Sequence, residues 1–71
     1  MISRAIEDYL KVIYQLSVAD KAVTTSALAD ALGISDASAT NMIKKLAEMK
    51  LARHSPYRGV ELTRAGEKIA L

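Results

Sequence analysis

The 71-residue chain contains no cysteine, no tryptophan and no phenylalanine, and only one proline, three glycines and one histidine. Without cysteine there is no disulfide scaffold, no thiolate metal site and no cysteine nucleophile. A single histidine leaves a histidine metal cluster or a Ser-His-Asp relay without partners. Long apolar runs are missing as well. The longest unbroken one is three residues, so nothing spans a bilayer, and Met1-Ile2-Ser3-Arg4 lacks the apolar region of a signal peptide. The expected compartment is the cytoplasm. With no glycine-rich phosphate loop and too little chain to enclose a dry pocket, an enzyme is not expected.

What is present suits one small folded domain. Hydrophobic residues make up 51 %, but 12 of them are alanine, so the core must come mainly from Leu, Ile, Val, Met and the three tyrosines. A chain this short buries only roughly 60 % of its unfolded surface. Charged residues at 25 % and a net charge of +2 fit a globular chain rather than a disordered tail. The charge is unevenly placed. Residues 1–34 carry three Lys/Arg against four Asp/Glu, whereas residues 35–71 carry seven against four. A basic second half suggests a polyanionic partner, with a solvated face as the plainer alternative.

Hydrophobic periodicity divides the chain. Ser3 is expected to cap a helix running to about Ala19, with Ile6, Tyr9, Leu10, Ile13 and Leu16 on its buried face. Asp20-Lys21 reads as a turn, Val23-Thr24 as a very short strand, and Thr24 or Thr25 as the next N-cap. Ala27, Leu28, Ala31 and Leu32 give the second helix its apolar side, and Gly33 ends it. Ser35 caps a third helix, with Asp36 in its first turn, where a negative charge suits the helix dipole. Ala39, Met42, Ile43, Leu46 and Met49 form its inward stripe out to about Lys50. The Gly33-Ile34-Ser35 link is too short for antiparallel helices and marks a helix-turn-helix, with Ile34 plugging between the two.

Beyond the third helix the period changes to alternation. Leu51-Ala52-Arg53-His54 reads as a strand, Ser55-Pro56-Tyr57-Arg58-Gly59 as a turn, and Val60-Glu61-Leu62 as the returning strand. Thr63 then caps a final helix with Glu67 in its acidic first turn and an apolar pattern of Ala65, Ile69 and Ala70. That pattern is still apolar at Leu71, which suggests a fragment or an element continuing into a further domain. The fold class is mainly α with a small β-hairpin, a winged helix-turn-helix over residues 1–71.

The third helix has an outer face of Ala37, Thr40, Asn41 and Lys44, flanked by Ser38 and Lys45, at about 100° per residue. Small residues near its start allow close approach to a major groove, and amides or hydroxyls read base edges. Asn41 suits an adenine edge and the Ala37 methyl a thymine methyl. Ser38, Thr40, Lys44 and Lys45 suit phosphate oxygens, and Ser35, which opens the helix, is counted with them as a DNA-binding residue. At the hairpin tip, Arg58 reaches a phosphate or the minor groove, while Tyr57 mainly packs under the wing. Arg53 and Arg64 are weaker phosphate candidates, and His54 reads as a plain wing residue. Asp8 and Lys11, three apart on the first helix, read as an intrahelical ion pair.

Three segments, IEDYLKVIYQL (6–16), LADALGISDASATNMIKKLAEMKL (28–51) and PYRGVELTRAGEKIA (56–70), resemble the DNA-binding domain of the diphtheria toxin repressor family, closest to its manganese-sensing members. A generic helix-turn-helix would share the middle segment but neither flank. The resemblance implies a bacterial repressor of metal-uptake genes, activated by manganese or iron(II). Its partner is double-stranded, pseudo-palindromic operator DNA, bound by a homodimer held together through a region beyond Leu71. It also implies that Asp8 is one ligand of a partial metal site whose other ligands lie in that region. Lys11 stands where some manganese sensors place a second carboxylate, and an ammonium has no lone pair for a metal. This chain alone is therefore expected to bind no metal tightly. Two other readings stand beside this one: a winged-helix protein-interaction module, and a DNA-binding regulator of another family that senses a small molecule.

Overall fold

A computed structural model describes residues 3–19, 22–55 and 59–71. Four helices, α1 (Arg4–Ala19), α2 (Thr25–Leu32), α3 (Asp36–Glu48) and α4 (Arg64–Ala70), frame a hairpin of β1 (Ala52–Ser55) and β2 (Gly59–Leu62). This is the winged helix-turn-helix order expected from the periodicity. The turn expected at Asp20-Lys21 and the hairpin tip 56–58 lie outside the described residues.

Side-chain caps set the helix starts. The Ser3 hydroxyl accepts the Ile6 N–H, Thr24 that of Ala27, Ser35 that of Ser38 and Thr63 that of Gly66, at 3.0–3.3 Å. Each satisfies one of the N–H groups a helix leaves unpaired in its first turn. Between α2 and α3, Gly33 adopts φ 68°; its N–H reaches the Asp30 carbonyl, and the Ile34 N–H reaches Ala29. That paired return is the Schellman stop, and its left-handed residue favours glycine because no Cβ is strained. Ile34, expected as a plug between the helices, is only half-buried at the rim of the turn.

α3 stops two residues earlier than its apolar stripe predicts. Leu46 is the last buried member, and Met49, expected inside, is 36 % exposed at the C-cap. Lys50 takes φ 61° and repeats the same stop without glycine: its N–H reaches Ala47 and the Leu51 N–H reaches Leu46. The chain thus turns sharply out of α3, and Leu51 precedes the strand instead of opening it.

The core is a single cluster of Leu10 and Ile13 from α1, Val23, Leu28, Met42, Ile43 and Leu46 from the helix-turn-helix, Leu51, Ala52 and Val60 from the hairpin, and Ala70. Fully burying each large aliphatic side chain contributes about 1.5–3 kcal/mol. Two alanine assignments differ from the sequence pattern. In α2 it is Ala29 that is buried and Ala31 that is exposed, and in α4 Ala65 is exposed while Gly66 is buried. Methyl side chains carry too little apolar area to fix a helix's rotation, so neighbouring Leu28 and the α4 backbone decide it. α1 packs against α2, β2 and α4, and α3 packs against α2 and β1.

The hairpin pairs Ala52 with Leu62, Arg53 with Glu61, His54 with Val60 and Ser55 with Gly59. The expected Val23-Thr24 strand reduces to one bridge. Val23 pairs with Gly59, and its carbonyl accepts the Val60 N–H at 2.8 Å. A Cβ on Gly59 would lie 2.1 Å from that carbonyl oxygen, so only glycine lets the two backbones meet. This bridge anchors the inner edge of the wing beside the helix-turn-helix. The Asp8–Lys11 ion pair is not formed: among the described residues the one salt bridge is Arg53–Glu61. Both Asp8 and Lys11 are exposed, where holding two solvated side chains together gains little against their entropy.

Candidate nucleic-acid interface

α3 separates its two faces cleanly. Ala39, Met42, Ile43 and Leu46 are buried, while Ala37, Ser38, Thr40, Asn41, Lys44 and Lys45 are all exposed. The expected contact residues therefore share one accessible strip, small and hydroxylated at the N-terminal end and cationic further along. The strip is polar, which does not suit an apolar protein-docking surface.

The start of α3 is preset by hydrogen bonds. Ser35 Oγ accepts the Ser38 N–H at 3.1 Å and donates to Ser38 Oγ at 3.0 Å. The Ser35 hydroxyl thus caps α3 as expected and fixes the first turn of the strip. Ser38, by contrast, keeps its own O–H proton directed away from Ser35 and free to donate. Ser26 Oγ on α2 donates to Asp36 Oδ2 at 3.2 Å, tying the two helices at their exposed corner. This brace was not evident in the sequence, because neither residue belongs to the apolar pattern.

The hairpin adds to the surface. Arg53 Nε lies 3.2 Å from Glu61 Oε2, with Arg53 largely exposed. Its expected phosphate role competes with that pair, although an exposed ion pair is worth only about 0–1 kcal/mol. Arg64 is exposed at the first position of α4. Tyr57 and Arg58 lie outside the described residues. His54 alternates to the strand face opposite Arg53 and lines a notch of about 240 Å³ together with Thr25, Thr40, Ile43 and Lys44. Residues from α2, α3 and β1 thus converge beside the recognition strip, a grouping no local pattern could disclose. A larger open cleft of about 610 Å³, between α1, the hairpin and α4, is lined by Tyr14, Ser17, Arg53, Glu61 and Glu67 among others. It includes no residue of α3.

Asp8 is exposed on α1, and among the described residues no group of three or more His, Asp or Glu side chains could hold a metal ion. One carboxylate does not hold a transition metal tightly, so the residues present do not fit the group by themselves. Nor is any helix among the described residues long and apolar enough to cross a membrane.

A capped helix-turn-helix, an exposed polar recognition strip and an adjoining wing define a winged-helix DNA-binding domain. Residues 1–60 match the iron dependent repressor N-terminal DNA binding domain. The HTH-type transcriptional regulator MntR of Oceanobacillus iheyensis is 36 % identical over 69 residues, 97 % of this chain and 47 % of that protein. A solved structure of the manganese regulator SloR superposes with a TM-score of 0.79 at 34 % identity, covering 92 % of this chain and 30 % of that one. IdeR of T. acidophilum shares the fold, with a TM-score of 0.84 at 24 % identity over 99 % of this chain and 32 % of that one. The chain belongs to the iron-dependent repressor family and corresponds to its N-terminal DNA-binding domain. It spans about half the length of the curated relatives it matches.

Proposed function

We propose that α3 reads operator DNA from the major groove, with Asn41 and Ala37 at base edges and Ser38, Thr40, Lys44 and Lys45 on the flanking phosphates. The observation that carries this reading is the exposed strip of α3, held in place by the Ser35 cap and the Ser26–Asp36 brace. Amide and methyl groups supply base discrimination, while the lysines supply affinity that any sequence receives. Arg58 at the wing tip reaches a phosphate or the minor groove, and Tyr57 supports it.

In the whole protein, two such domains joined through a region beyond Leu71 meet a pseudo-palindromic operator, their α3 helices about 34–36 Å or a multiple apart. That protein acts in the cytoplasm on metal-uptake genes in response to manganese or iron(II). Asp8 is this chain's own contribution toward a metal, and the remaining donors come from elsewhere. The domain itself therefore binds DNA whether or not metal is present.

Fluorescence anisotropy of the 71-residue chain with random and palindromic duplexes, at two salt concentrations, tests the reading. Binding that falls steeply with salt and improves on particular palindromes is expected, because each neutralised phosphate releases a counterion. Salt-insensitive association, or none at low salt, refutes it.

A further inference from the structure

Asp36 stands apart from the contacts assigned above. It opens α3, is exposed, and is the only acidic residue between positions 36 and 47, a span whose other charges are Lys44 and Lys45. Among the described residues no cation pairs with it. Ser26 Oγ donates to Asp36 Oδ2 at 3.2 Å, so one carboxylate oxygen is held against α2 while Oδ1 keeps its acceptor capacity. An acid in a first turn gains from the helix dipole, but that gain asks for no fixed orientation. A negative charge on a DNA-binding face is repelled by every phosphate. Guanine N7 and O6, thymine O4 and adenine N7 are acceptors and repel it too. Cytosine alone presents a donor, N4–H, with no acceptor beside it on the major-groove edge.

We infer that Asp36 is a specificity-determining residue: its carboxylate, oriented by Ser26, accepts from cytosine N4 at one position of the operator and weakens binding to DNA with any other base there. The inference rests on the DNA reading proposed above and adds a base position to it. A recognition helix presents its N-terminal residues to the base edges, and Asp36 directly precedes Ala37, which that reading sets at a base edge. Ser26 is a positioning residue that fixes the carboxylate and touches no base. Discrimination of this kind comes as much from repelling the wrong sequence as from the one favourable contact. An uncompensated carboxylate costs affinity on all DNA, and the lysines farther along the strip offset that cost equally on all DNA. The difference between sequences therefore remains with Asp36 and the base it meets.

The test is anisotropy of the 71-residue chain, Asp36→Asn and Ser26→Ala on the tightest palindrome of the series above, its single-base-pair substitutions and a random duplex. The unaltered chain should prefer cytosine by about tenfold at one position other than the one Asn41 reads, the order of one good base contact. Asp36→Asn keeps an acceptor for Ser26 but presents an amide N–H in place of Oδ1. It should lose the cytosine preference and bind the random duplex about twofold more tightly, the size of one screened charge removed near the backbone. Ser26→Ala keeps the charge, so its affinity for random DNA should stay while its cytosine preference falls about threefold, the order of one hydrogen bond lost. A cytosine preference that survives Asp36→Asn overturns the role of Asp36 and leaves the reading of α3 standing. An undiminished preference in Ser26→Ala overturns the orienting role of Ser26. Equal binding of every duplex by the unaltered chain overturns both the inference and the base reading by α3.

Discussion

Gly66→Ala sets two well-defined effects against each other. Gly66 is buried in α4, where alanine would normally stabilise the helix by about 1 kcal/mol. A Cβ at this position, however, would lie 2.0 Å from the Leu51 carbonyl oxygen and 3.0 Å from its carbon. Both partners are backbone, so no side chain can swing away. Relief requires α4 and the α3–β1 joint to part by at least 1 Å. That movement strains the Thr63 N–H bond to Leu51 O at 3.0 Å and the Thr63 Oγ1 bond to Lys50 O at 2.8 Å. Each hydrogen bond contributes about 0.5–1.5 kcal/mol, and overpacking of this kind costs about 1–3 kcal/mol. Packing wins, for a net loss of about 2 kcal/mol. In a domain of this size that lowers Tm by roughly 8–16 °C. Thermal unfolding followed by circular dichroism measures it. Ala65→Gly, at the exposed neighbouring position, gives the propensity term alone, about 1 kcal/mol. A Gly66→Ala protein as stable as the original would refute the close approach of α4 to Leu51.

Three further outcomes follow from the interface and its supports. Asn41→Ala should cost about 1–3 kcal/mol against one base pair and relax preference there, whereas Lys45→Ala should weaken binding to every duplex and lower the salt slope by about 0.9; a panel of single-substituted duplexes separates the two. Lys50→Gly should raise stability by about 0.5–1 kcal/mol in urea unfolding, because φ 61° strains any residue with a Cβ by about 1–2 kcal/mol while glycine forfeits part of that as chain entropy. Adding a chelator, or manganese at micromolar concentration, should leave DNA binding by this chain within twofold, as measured by anisotropy, since no group of three or more donor side chains is found among the described residues.

The elements were largely legible in the sequence because their signals are local. A helix stripe, a serine or threonine before it and a glycine after it are each read within a few residues, and α1, α2 and the start of α3 follow them closely. Where the reading failed, the deciding contact was distant or the residue atypical. Nothing near Lys50 announces that a lysine will take the left-handed stop that glycine takes at Gly33. Gly66 reads as a helix weakness, yet its missing side chain is what lets α4 lie on Leu51. The alanines at 29, 31 and 65 are too small to declare a face. On the interface, the outer residues of α3 were visible from the helical period alone. Ser35 was legible as the cap of α3, and its hydroxyl does accept the Ser38 N–H. Thr25 and His54 join the same surface only through tertiary packing.

The recognition helix illustrates why such residues are separable from stability. Its outer strip is short, polar and exposed, and it contributes nothing to the core, so its composition is free to follow the groove it meets. Its position depends on residues outside that strip: Ser35 and Asp36 at the start, Leu46 in the middle, and the Lys50–Thr63 joint at the end. That joint also holds the first turn of α4, the element nearest the chain's end at Leu71. The start of α4 is thus tied to the end of α3 by the Thr63 hydroxyl on the Lys50 carbonyl and by the Thr63 N–H on the Leu51 carbonyl. Substitutions on the strip should change which DNA is bound with little effect on unfolding, whereas substitutions at the joint should change both. Measuring Tm and affinity for Asn41→Ala and Gly66→Ala in parallel discriminates the two classes, and an Asn41→Ala protein that unfolds as readily as Gly66→Ala would break the separation.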